Sequence, residues 1–156
     1  MNEFPLEMPG RECNIALVAG EFNQFIVQQL VDGAMDALSK NGVTDQNISL
    51  AWVPGAFELP LAADVLAASG NHDAVIALGA VIRGGTPHFD FVAGECSRGL
   101  ASVGLKHGLP VIFGVLTTDT VDQALERAGS GAGNKGFDTA VAALQMISLM
   151  DRLRAK

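Results

Sequence analysis

The hexapeptide Arg83-Gly84-Gly85-Thr86-Pro87-His88 concentrates residue types that can hold and process an anion. Two glycines let a backbone come close to a ligand, Thr86 can cap a following helix, and Pro87 suits that helix's first turn. Free N–H groups at a helix start, backed by the positive end of the helix dipole, make a phosphate cradle. The Thr86 hydroxyl adds a donor where it is not spent on the cap. A tight strand-to-helix turn is the plainer reading of the same residues. His88, beside the cradle, offers an imidazole that can move protons near neutral pH. The other two histidines, His72 and His107, fall near glycines at helix ends and read as solvated charges there. His88 and Asp90 lack a third ligand at metal spacing, so no metal site is expected.

Other suggestive strings carry less. Gly131-Ala132-Gly133-Asn134-Lys135-Gly136 matches GxGxxG literally, but a dinucleotide site needs that pattern between a strand and a helix, and here it joins two helices. Lys135 also lacks the flanking Gly and Ser or Thr of a nucleotide-triphosphate loop. Ser97 sits in a helical pattern without the GxSxG elbow of a hydrolase, which leaves it a surface or packing role.

The elements that must position the hexapeptide are legible as short apolar runs: Asn14 to Gly20, Ile48 to Pro54, Ala74 to Ile82 and Pro110 to Thr118. Each reads as a strand buried on both faces. Between them apolar residues recur at helical spacing, at Ile26, Leu30, Ala34 and Leu38, over the shorter stretch from Glu58 to Ser69, and at Phe89, Val92, Cys96, Leu100 and Val103. Thr120 and Gln123 have capping-box spacing and start a helix to about Gly129. A last helix carries Ala140, Val141, Leu144, Ile147 and Met150. Alternating strands and helices imply a parallel sheet covered on both faces. A single-domain α/β sandwich of the flavodoxin-like type follows, its four strands ordered 2-1-3-4, with ligands beyond the strands' carboxyl ends.

Composition bounds the partners. Hydrophobic residues make up 49% of the 156 and charged residues 17%, against roughly 25% charge in ordinary soluble chains. The apolar surface left over is expected to be covered by other copies of the chain. A net charge of −7, from 17 acidic against 10 basic residues, and the absence of Tyr disfavour nucleic acid. No stretch reaches transmembrane length, so no membrane partner is expected. Residues 1–12, with Glu3, Pro5, Glu7 and Pro9, lack a signal peptide's basic start and apolar run, and read as an extended segment of one domain spanning 1–156. Cys13 and Cys96 form no CxxC pair and read as buried thiols in a reducing cytoplasm.

Several separate blocks together resemble the lumazine synthases: Phe22-Asn23, Val53 to Pro60 (VPGAFELP), Gly79 to Val92 (GAVIRGGTPHFDFV), Phe113 to Thr118 (FGVLTT), Arg127-Ala128-Gly129 and Gly133 to Gly136 (GNKG). The resemblance implies condensation of 5-amino-6-(ribitylamino)uracil with 3,4-dihydroxy-2-butanone 4-phosphate to 6,7-dimethyl-8-ribityllumazine, phosphate and water, with no cofactor or metal. By the same resemblance Phe22 would stack on the pyrimidine, and Ala56, Phe57, Glu58, Ala80, Val81 and Ile82 would line the ring and ribityl pocket. Gly85 and Thr86 would hold the phosphate with Arg127, whose planar guanidinium suits bidentate contact. Phe113 would close the ring site from a neighbouring subunit, His88 would transfer protons, and Lys135 would add a supporting charge. Without the resemblance, Phe113 reads as packing, Arg127 as solvated and Lys135 as a helix start. The likeness further implies a homopentamer, and the short Gly129 to Gly133 turn favours a sixty-subunit icosahedral shell, with riboflavin synthase as a further partner. A flavin mononucleotide carrier would need Ser and Thr in the loop after strand one, where this chain has Gly20-Glu21-Phe22-Asn23. A receiver-type signalling module would need aspartates at strand ends, which Ala19-Gly20 and Val81-Ile82 do not supply.

Overall fold

The structure is a computed structural model that describes residues 1–129 and 133–155. Four parallel strands, β1 (Ile15–Gly20), β2 (Ile48–Val53), β3 (Ala74–Ile82) and β4 (Val111–Thr118), form one sheet in the order β2-β1-β3-β4, as expected. Helices α1 (Gln24–Lys40), α4 (Val121–Arg127) and α5 (Lys135–Ala155) contribute to the core on one face of the sheet, and α2 (Leu59–Ala68) and α3 (His88–His107) to that on the other. The strand alternation assigns each face its side chains. Ile15, Leu17, Ile76 and Leu78 meet Leu30, Leu38 and Leu144 in one layer, while Ala16, Val18, Val75 and Ala77 meet Leu59, Cys96 and Leu100 in the other. Each fully buried aliphatic side chain of this kind contributes about 1.5–3 kcal/mol. Residues 1–12 carry no regular secondary structure. Arg11 fastens their end to Asp151 of α5 at 2.8 Å and to Asp73 at 3.1 Å.

Three expectations are corrected. Only β1 and β3 are buried on both faces. β2 and β4 lie at the sheet's edges, leaving Ser49, Leu50, Phe113 and Thr117 exposed in the chain taken alone, because an apolar run does not encode which strand has a single neighbour. The helix after β4 does open with a complete capping box between Thr120 and Gln123, but ends at Arg127. His72 and His107 are not solvated end charges. Packing of α2 along α3 puts His107 Nε2 2.7 Å from Asp64 Oδ1, and His72 is half-buried with Nδ1 3.4 Å from the Leu66 carbonyl. The middle of the Gly129 to Gly133 turn lies outside the described residues.

These carboxylate contacts set an acid limit. The hydrogen bond from His107 holds the Asp64 carboxyl below its ordinary 3.8, and Arg11 does the same for Asp151. A carboxylate depressed on folding contributes stability that is present above its unfolded pKa and is lost as pH falls through the folded one. Urea midpoints are therefore expected to be flat near neutrality and to fall below about pH 4. Arg11→Ala should lower the neutral plateau and make that acid fall shallower, and an unchanged acid slope in this variant would refute the assignment.

Candidate active site

The neighbours of β1 and β3 run outward in opposite directions, so the sheet has its switch point between these two strands, where ligands of such folds bind. A hollow of about 680 Å³ opens there. Its walls come from the β1–α1 turn (Phe22, Asn23), the turn after β2 (Pro54 to Glu58), the end of β3 (Ala80 to Ile82) and the start of α3 (Thr86, His88, Phe89). The turns are held in place by backbone. Glu21 and Phe22 donate N–H bonds to the Val53 and Pro54 carbonyls at 2.7 and 3.0 Å. Phe22 remains 72% exposed, so its ring stands free as a stacking surface.

Asn23, within the first block of the family resemblance, was given no role of its own in the site. It starts α1 in the left-handed conformation, with φ 63°, and its Nδ2 donates to the Ala80 carbonyl at 3.0 Å, tying the first turn to the end of β3. Asn is among the few residues that tolerate this backbone, which was the available signal. Phe89, Phe91 and Val92, in the helical turn that directly follows the hexapeptide, also line the hollow, although Phe89 and Val92 read from their spacing as helix core.

In the hexapeptide, α3 begins at His88, with Pro87 at the capping position and not inside the first turn. Thr86 Oγ1 accepts from the His88 backbone N–H at a long 3.4 Å, so it sits one residue earlier than a capping side chain should. The cause is Pro87, whose φ of −70° already has a helical value. Added Cβ atoms at Gly84 and Gly85 would meet nothing within 4 Å, so the space before this backbone is open. Gly84 and Thr86 line the hollow, while Gly85 between them in the chain is not among its lining residues. Arg83 is turned to Asp119 at 2.8 Å and Asp90 at 3.6 Å, with its guanidinium 4.4 Å from the centre of the Phe89 ring.

Phe113, Arg127 and Lys135 lie elsewhere. They line a second hollow of about 570 Å³ along the exposed β4 edge, with Thr117, Glu126, Asn134 and Asp138. The two hollows share no lining residue. Arg127 and Lys135 are exposed, and among the described residues the guanidinium donates to the Gln123 carbonyl one turn back. Glu126 and Asp138 had not been singled out, although their positions next to Arg127 and one turn after Lys135 were a usable hint.

Among the described residues no three His, Cys, Asp or Glu side chains group as a metal site. Burial pushes the Cys96 thiol up to about 11 and raises Cys13 as well, so neither is an activated nucleophile. The model of the family described as 6,7-dimethyl-8-ribityllumazine synthase matches residues 12–151. The chain belongs to that family. As a lumazine synthase it is a transferase of riboflavin biosynthesis, joining 5-amino-6-(ribitylamino)uracil to 3,4-dihydroxy-2-butanone 4-phosphate. No helix among the described residues is long and apolar enough to cross a membrane.

Proposed function

We propose that the two hollows are halves of one lumazine synthase active site, closed when the β4 edge of one copy meets the switch-point hollow of the next. The observation that carries this reading is their chemical complementarity without contiguity. One half has the ring platform, the open glycine backbone and His88; the other has two exposed cations and Phe113. Exposed Phe22, Phe57, Leu61, Val65, Phe91 and Leu105 supply apolar surface for such association.

In the joined site the pyrimidine stacks on Phe22 and is enclosed by Phe113 of the neighbouring copy, with the ribityl chain along Ala56, Phe57, Glu58, Ala80, Val81 and Ile82. Gly85, Thr86 and the neighbour's Arg127 hold the phosphate, with Lys135 as the supporting charge. Amine attack on the ketone, departure of phosphate and ring closure need placement and proton transfer more than a strong nucleophile. His88 moves the protons. The same reading takes the assembly to be a homopentamer, twelve of which form a sixty-subunit shell in the cytoplasm, with riboflavin synthase as a partner.

Complementation tests the shared site. Gly84→Asp places a carboxylate in the open space before the phosphate backbone, and Arg127→Ala removes the cation from the other half. Each variant alone should be nearly inactive by lumazine fluorescence and phosphate release. Random co-assembly of the two in equal amounts should restore about a quarter of the wild-type sites. Activity of the mixture no greater than that of its components would overturn the reading.

A further inference from the structure

Arg127 closes α4 and Lys135 opens α5, so the spacing of the two cations depends on what joins these helix ends. Asn134 supplies the join. Its Nδ2 donates to the carbonyl of Ala128, the residue after Arg127, at 2.9 Å, and to the carbonyl of Gln29 on α1 at 3.0 Å. Its Oδ1 accepts from the Phe137 N–H at 3.1 Å, as a helix cap does. Ala128 and Asn134 also form an isolated backbone bridge. The half-buried amide lies against Gly33 of α1, where an added Cβ would stand 2.2 Å from Oδ1. Both donor hydrogens and an acceptor are thus committed to three separate stretches of backbone.

The geometry points to Asn134 as a positioning residue that sets the separation of the Arg127 guanidinium and the Lys135 ammonium, and through them the grip on the substrate's phosphate. This rests on the reading of the second hollow as the phosphate half of the site. Asn134 acts through its neighbours and touches no reacting atom.

Asn134→Asp separates this role from simple capping. Asp caps a helix as well as Asn does, but it has no donor and turns a carboxylate toward two carbonyl oxygens. The variant should keep its helix content while KM for the phosphorylated substrate rises about tenfold, because the displaced Arg127 and Lys135 grip the phosphate about 1.4 kcal/mol less tightly. KM for the pyrimidine should stay unchanged and kcat should fall less. Gly33→Ala leaves the amide's chemistry intact, displaces it from the α1 side and should reproduce the same pattern. In an Arg127→Ala, Lys135→Ala background, Asn134→Asp should add almost nothing, because the pair it spaces is gone. A wild-type KM in Asn134→Asp, or an undiminished effect in the triple variant, would overturn the proposal while leaving the site reading standing. Were Arg127→Ala itself without effect on the phosphorylated substrate, the site reading would fall and this proposal with it.

Discussion

Arg127→Ala is expected to lower kcat/KM by about a hundredfold or more, the usual scale for losing a charged partner of a departing anion. His88→Ala should cost less. Arg127 is exposed on the wall of a hollow, where among the described residues its guanidinium donates to the Gln123 carbonyl. Its fork is therefore available to two phosphate oxygens, a contact that water cannot replace with comparable orientation. General acid–base catalysis can reach similar factors, but water held in the joined site can relay protons in place of His88. Steady-state rates of the two variants, with both substrates varied, decide the ranking. A larger loss for His88→Ala would reverse it and make proton transfer the dominant demand. Arg127→Lys should recover only part of the activity, since an ammonium keeps the charge and loses the planar fork.

Among the described glycines, Gly136→Ala is expected to have the largest effect on stability. An added Cβ would stand 1.9 Å from the Leu30 carbonyl oxygen and 2.7 Å from its carbon, so backbone meets backbone and no rotamer relieves the overlap. α5 would have to move away from α1 by about an ångström, opening the layer that holds Leu30 and Leu144. Overpacking of this kind costs about 1–3 kcal/mol, a large share of the 5–15 kcal/mol that a domain commands. The same displacement would carry Lys135 out of the second hollow. Chemical denaturation should therefore show a midpoint well below wild type, with a rate defect that persists at temperatures where the variant is fully folded. Wild-type stability would mean that the α1–α5 approach is looser than this geometry. Gly33→Ala, which meets a side chain instead of backbone, should destabilise less than Gly136→Ala while impairing phosphate binding comparably.

The sheet order and both central strands were legible because β1 and β3 must be apolar on both faces, and glycines mark the turns that end them. Edge and centre were not separable by composition. β2 and β4 are nearly as apolar as the others, and only their place in the sheet exposes Leu50 and Phe113. Within the switch-point hollow the hexapeptide was readable from local chemistry alone, as its parts are neighbours in the chain. Arg127 and Lys135 were not. Nothing local distinguishes them from solvated charges, and only the resemblance of several blocks to one family drew them in. The contacts that escaped altogether join distant positions: Asp64 with His107, and Asn134 with Gln29, 105 residues away. Such pairs are made by helix packing and leave no mark in local spacing.

Cys13 belongs to the α1, α4 and α5 side of the sheet and Cys96 to the α2 and α3 side, and both are unpaired and inaccessible. The chain thus carries a built-in chemical reporter in each half of its interior. A small thiol reagent can reach either sulfur only after the surrounding side chains part. The sequence in which the two sulfurs are labelled under gentle destabilisation therefore records which side of the sandwich loosens first.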